Sequence, residues 1–201
     1  MSAAKTSVRE IRKADIELIA DYWSRSDPTH LIGMGVDLQK VPPRSDFIAM
    51  LTSQLTLPLN ERQSYCTIWE IDSKPIGHCN VNKIQFGRSA YLHLHIWRSD
   101  QRQHGLGTTL VQQSLRYFFD QLQLQDLYCE PYALNPAPNA VLAKVRFSFI
   151  KEYTTVPGAI NFEQPVNRWH MSRSKFEMLD LNAPNRWRRQ VTMCKSRAEK
   201  E

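Results

Sequence analysis

The sequence predicts an α/β (α+β) domain, a central mixed sheet covered by helices, on three observations. First, 42% of the 201 residues are hydrophobic, which is enough for a sizeable core in a single domain. Second, the hydrophobic period switches between strand-like alternation and helical spacing in the order β, α, α, β, β, β, α, β, α, β, β. Third, that order mixes hairpins, which need antiparallel neighbours, with two crossover units, which need parallel ones.

Val8 to Ile11 reads as a short strand, and Asp15 as the N-cap of a helix carrying Ile16, Ile19, Ala20 and Trp23 on one face. Ser24 to Arg44 is polar and holds Pro28, Gly33, Gly35, Pro42 and Pro43, so it is expected to be mostly loop. Ser45 or Asp46 caps a second helix through Phe47, Met50, Leu51 and Leu55, which Pro58 ends. Tyr65 to Ile71 and Ile76 to Phe86 form a hairpin across Asp72 to Pro75. Ala90 to Trp97 alternates, with Ala90, Leu92, Leu94 and Ile96 on one face and Tyr91, His93, His95 and Trp97 on the other. Leu106, Leu110, Leu115, Phe118 and Leu122 trace a helix face. Asp126 to Ala133 is the next strand, and Asn139 to Val145 a short helix. Ser148 to Thr155 and Arg168 to Arg173 complete the sheet. The expected division is a folded domain over residues 1–177 and a basic tail over 178–201.

Charge and cysteine usage narrow the function classes. The net charge is +6, but residues 182–201 hold six basic residues against two acidic ones, so most of the excess belongs to the tail. A near-neutral body argues against DNA as a partner. No run approaches the ~18–20 apolar residues of a membrane span, and the N-terminus has no apolar h-region, so a cytoplasmic protein without membrane association is expected. Cys66, Cys79, Cys129 and Cys194 are scattered without a C-x-x-C pair, which reads as buried free thiol rather than as a disulfide framework or metal knuckle.

The stretch that carries chemistry runs from Ala90 to Leu122. A strand ends near Trp97, and Arg102-Gln103-His104-Gly105-Leu106-Gly107 leads into the long helix. Two of only seven glycines lie at this loop-to-helix junction. The first turn of a helix leaves N–H groups unpaired and carries partial positive charge. Gly105 and Gly107, lacking Cβ, let those amides approach an anion. Arg98 and Arg102 add donors suited to phosphate oxygens, and Thr108 and Thr109 add hydroxyls. His104 is expected to contribute only an exposed backbone donor. The element reads as a diphosphate cradle. Neither G-x-x-x-x-G-K-[ST] nor a G-x-G-x-x-G directly after a strand is present.

The arrangement resembles motif A of the GNAT superfamily, the N-acetyltransferases that use acetyl-CoA, whose signature is [Q/R]-x-x-G-x-[G/A]. Arg102, Gly105 and Gly107 occupy its fixed positions. Asn135 and the run Asn139 to Phe147 resemble motif B, and the element order matches across residues 7–174. The resemblance implies a twisted, mainly antiparallel sheet of about seven strands with helices on both faces, splayed between strands 4 and 5. It also implies acetyl-CoA as cosubstrate, no metal, a pyrophosphate on the amides of Arg102 to Gly107, and a pantetheine arm paired with the backbone of Ile96 and Trp97. Thr108, Asn135 and Asn139 complete the implied cofactor contacts. Two positions depart from the family. Arg146 stands where Gly is usual, so the helix is expected to end without the favoured left-handed glycine, and Leu142 stands where many members have the Tyr that protonates the leaving thiolate.

The candidate base residues are His93, His95 and Glu130. Histidine titrates near neutrality, and a strand Glu among aromatics is either a raised-pKa base or a salt-bridged structural acid. Tyr132 is the candidate replacement acid. Substrate contacts are expected from Asp27 to Arg44 and from Thr154 to Asn167, with Asp27, Asp37 and Glu163 placed to attract an ammonium group and Trp23, Trp69 and Trp97 to wall a pocket. The expected acceptor is a primary amine of a small molecule, of the aminoglycoside or siderophore-precursor kind. The alternatives are a protein N-terminus or lysine, or a non-catalytic acyl-CoA-binding module. A homodimer is compatible with this reading.

Overall fold

The structure, a computed structural model, describes residues 5–102 and 105–181. Gln103, His104, Cys194 and the basic residues of the tail lie outside the described residues. Seven strands form one sheet: β1 (Thr6–Glu10), β2 (Ser64–Ile71), β3 (Lys74–Gln85), β4 (Ser89–Ile96), β5 (Asp126–Cys129), β6 (Ser148–Thr155) and β7 (Gln164–Ser172). Their order is β1-β2-β3-β4-β5-β7-β6, antiparallel throughout except for the parallel β4–β5 pair.

The helices are α1 (Ile16–Arg25), α2 (Pro28–Gly33), α3 (Arg44–Thr56), α4 (Leu106–Arg116, continued by a π-helical turn over Tyr117–Gln121), α5 (Pro136–Lys144) and α6 (Arg173–Leu181). Strand alternation sorts them onto two faces. Ala90 and Leu92 of β4 join Val81, Trp69, Leu110, Val111 and Leu142 in the larger apolar cluster, with Leu94 and Ile96 packed against it. Ile16, Ile19 and Leu51 of α1 and α3 meet Cys66 and Ile68 of β2 on the opposite face. Cys66, Cys79 and Cys129 are buried free thiols, and burial pushes each thiol pKa up.

Four sequence expectations are corrected. The Ser24–Arg44 stretch is not mostly loop, because Asp27 accepts from the His30 N–H at 3.2 Å and Pro28 opens α2. Asp15 is the N-cap of α1 as expected, but its side chain makes no capping bond to that helix: its carboxylate takes Arg9 at 2.6 and 2.8 Å and the Arg12 N–H at 2.7 Å, tying β1 to the start of α1. Neither Ser45 nor Asp46 caps α3, whose N-cap is Pro43. The strand expected to reach Ala133 stops at Cys129, and Tyr132 makes only an isolated bridge to Val166.

Candidate active site

Arg102 leads the loop into α4. Its Nε donates to Ile96 O at 3.1 Å and its Nη2 to Trp97 O at 3.2 Å, so the guanidinium pins the loop to the end of β4. Its Nη1 lies 3.2 Å from His30 Nδ1. Gly105, with φ +73°, is the N-cap of α4 and has no side chain to cap it. A Cβ at Gly105 would meet nothing within 4 Å, so its left-handed φ rather than crowding is what favours glycine there. Gly107 serves packing instead, since a Cβ there would stand 3.2 Å from Val141 Cγ2 of α5. Leu106 packs on the core and Thr108 is half-buried. Arg98 forms an exposed ion pair with Asp100 at 2.6 Å.

The β4–β5 pairing covers only Ser89–Asp126, Ala90–Leu127 and Tyr91–Tyr128. Beyond Tyr91 this β4 edge has no partner strand among the described residues. The Trp97 N–H donates to Ile76 O at 2.9 Å, on the β3 side. Strand alternation therefore turns the Leu94 and Ile96 backbone toward the gap. Leu94 and the Ile96 N–H face that edge, the Ile96 carbonyl being held by Arg102, whereas the Trp97 N–H does not. An extended arm laid along this edge finds strand-like partners, and an anionic head finds the glycine-started N-terminus of α4. These residues fit an acyl-CoA.

A cavity of about 300 Å³ opens at the gap. Trp23, Phe47 and Leu51 form one wall, and the polar row of Cys66, Asn80 and His93 faces it from the sheet. Cys129, Tyr132, Asn135 and Pro138 line the far side. His93 and His95 share this face, as their spacing predicts. Burial, then the nearby Lys83, pushes His93 down to about 4, against the opposing pull of Glu130, and its Nε2 is buried without a partner. Burial, then His78, holds His95 well below its ordinary value. His95 stacks on His78 at 4.6 Å, and burial lowers His78 to about 3. The imidazoles are therefore neutral at physiological pH.

A hydrogen-bonded chain fixes their surroundings. Arginine only donates, so His30 Nδ1 accepts from Arg102 and the His30 proton is assigned to Nε2, 3.1 Å from Tyr22 Oη. The Tyr22 hydroxyl in turn reaches His95 Nδ1 at 3.3 Å and Met34 Sδ at 3.5 Å. Sequence reasoning missed both Tyr22 and His30. Tyr22 sat unremarked on the helical face with Ile19 and Trp23, and His30 in the stretch read as loop.

The other candidates lie as follows. Glu130 is held by Arg168 Nε and by the Tyr153 hydroxyl, both at 2.5 Å, so its carboxylate is engaged in an ion pair. Tyr132 lines the cavity and packs edge-on against Phe162 at 5.8 Å. Asn135 is the N-cap of α5, at the cavity wall. Asn139 braces the fold: its Nδ2 donates to the Tyr132 and Asn135 carbonyls, and its Oδ1 accepts from Asn167 and Trp169. Leu142 is wholly buried in the core. Arg146 adopts the left-handed conformation itself, φ +74°, so α5 keeps the turn without the glycine. Of the residues expected to attract an ammonium group, Asp37 accepts from Gln39 N and pairs with Lys40, while Asp27 caps α2. Trp69 is core. Among the described residues no group of three or more His, Cys, Asp or Glu is placed to hold a metal ion, and no helix is long and apolar enough to cross a membrane.

A seven-stranded sheet opened between β4 and β5, beside a long helix that starts at a glycine, is the α/β architecture expected of an N-acetyltransferase. The chain belongs to the GNAT family: residues 6–148 match the acetyltransferase (GNAT) domain. A spermidine N-acetyltransferase from Vibrio cholerae, solved with CoA and spermine, superposes with a TM-score of 0.70 at 18% identity, over 86% of this chain and 98% of that one. A ribosomal L7/L12 α-N-protein acetyltransferase in complex with coenzyme A gives 0.69 at 12% identity, over 87% and 97%. An aminoglycoside acetyltransferase with coenzyme A and kanamycin gives 0.66 at 16%, over 87% and 98%. No curated protein matches the sequence.

Proposed function

We propose that the protein transfers an acetyl group from acetyl-CoA to the primary amine of a small molecule within a ternary complex. The observation that carries this reading is the cavity at the β4–β5 gap, because it joins the open Leu94–Ile96 edge to a face lined by neutral imidazoles. Acetyl-CoA supplies the acyl group. The amine nitrogen bonds to the acetyl carbon, the carbon–sulfur bond breaks, and the thiolate leaves. The amine's surplus proton leaves by way of His95 on β4 to solvent, and Tyr132 supplies the hydroxyl that Leu142 lacks for the thiolate. An N–H on the β4 edge stabilises the developing oxyanion. The Glu130 ion pair argues for a structural rather than a basic role there.

Thiol release from acetyl-CoA in the presence of amines tests the reading, with mass detection of the acetylated amine. Release that requires the amine supports it. A non-catalytic acyl-CoA-binding module is the second reading, favoured by Leu142 in the place of the usual acid. It predicts binding of acetyl-CoA with no amine-dependent release.

A further inference from the structure

The acceptor side of the cavity has two unlike walls. On α1 and α3, Trp23 and Phe47 stack at 5.7 Å and an interplanar angle of 7°, with Ile19 and Leu51 beside them. On the sheet, the facing groups are uncharged hydrogen-bonding ones, Ser64, Asn80, Asn82 and His93. Asn82 Oδ1 and His93 Nε2 are both buried without a partner. The register places these two residues diagonally across β3 and β4. Buried polar atoms of this kind call for a partner, and a ligand hydroxyl or amide fits them.

Among the described residues the only carboxylate lining this cavity is Glu130, and Arg168 already neutralises it. The positive charge of Lys83 also reaches His93. A second ammonium group held here would be desolvated with no counter-charge. One ammonium is tolerable because the reacting amine must lose its proton to attack. From this, and resting on the acetyl-transfer reading above, we infer that the acceptor is a monoamine. Its body is uncharged, carries a ring-sized apolar flank for the Trp23–Phe47 wall, and offers a hydrogen-bonding group to Asn82 and His93. Polycationic amines are rejected.

The experiment uses three probes with the full-length protein: tryptamine, spermidine and kanamycin. Acetyl-CoA binding is measured separately by calorimetry. The expected result is a kcat/KM for tryptamine at least about ten-fold above that for either polycation. A carboxylate placed at the cavity by Met50→Glu, a position 47% exposed, is expected to narrow that gap by raising spermidine turnover. Spermidine or kanamycin turned over as fast as tryptamine overturns the inference and leaves the acetyl-transfer reading standing. Acetyl-CoA binding without turnover of any probe also overturns it. Failure of acetyl-CoA to bind removes the reading beneath it.

Discussion

Arg146→Gly is expected to stabilise the protein, although it deletes a side chain. Arg146 is exposed and stands at φ +74°, where its N–H donates to Ala143 O and the next residue's N–H donates to Leu142 O, both at 3.0 Å. Those bonds use backbone groups only, so glycine keeps them. A non-glycine residue in this region costs about 1–2 kcal/mol. Glycine recovers that strain but gives the unfolded chain about 0.4–1 kcal/mol of additional freedom. Taken at mid-range, the net gain is about 0.8 kcal/mol, or a rise in Tm of roughly 2–3 °C for a chain of this length. Urea titration of the wild type and of Arg146→Gly reads it as a higher midpoint at constant m-value. Arg146→Ala, which retains the strain, is the control and should leave the midpoint close to wild type. An unchanged or lowered midpoint for the glycine variant refutes the reasoning, because it would show that the arginine side chain contributes more than its conformation costs.

Three further outcomes follow from the site. Glu130→Gln should lower stability by about 1–3 kcal/mol through loss of the Arg168 pair, with kcat within about threefold of wild type; a collapse of kcat with stability retained would make Glu130 the base. Because burial depresses His93 to about 4 and His78 to about 3, the folded state binds fewer protons than the unfolded one below about pH 6.5. Stability should therefore fall as the pH is lowered from about 6.5 toward 4, which denaturant midpoints across that range will show. For the same reason the kcat/KM profile should have no inflection between about pH 6 and 7, and should rise toward the pKa of the acceptor amine.

The parts of this fold legible in the sequence are those with strong local periodicity. The β4 alternation placed His93 and His95 on one face, and Ser148–Thr155 has the bounds its residues indicated. The glycine pair located the start of α4, although Gly107 turns out to face Val141 in packing. What escaped is what only tertiary contact decides. Asp15 has the residue type of a forward cap, yet Arg9 draws its carboxylate toward β1. Glu130 carries no sign in the sequence that Arg168, 38 residues on, will neutralise it. The regular β5 ladder stops at Cys129, although Pro131 O and the Ala133 N–H still bond the β7 segment, so the expected end at Ala133 follows the chain's path but not its regular pairing. α2 was legible in principle, since Asp27-Pro28 is an N-cap followed by proline at the first helical position, but the surrounding glycines and prolines outweighed it.

Calorimetric titration with acetyl-CoA, comparing wild type with Gly105→Asp, tests the central claim that α4 and the open β4 edge hold the cosubstrate. The aspartate puts a negative charge and a strained left-handed side chain where the diphosphate would lie. The account predicts micromolar, one-to-one binding by the wild type, weakened at least about ten-fold, or 1.4 kcal/mol, in the variant. Equal affinity in the two proteins, or no binding by the wild type, would contradict it.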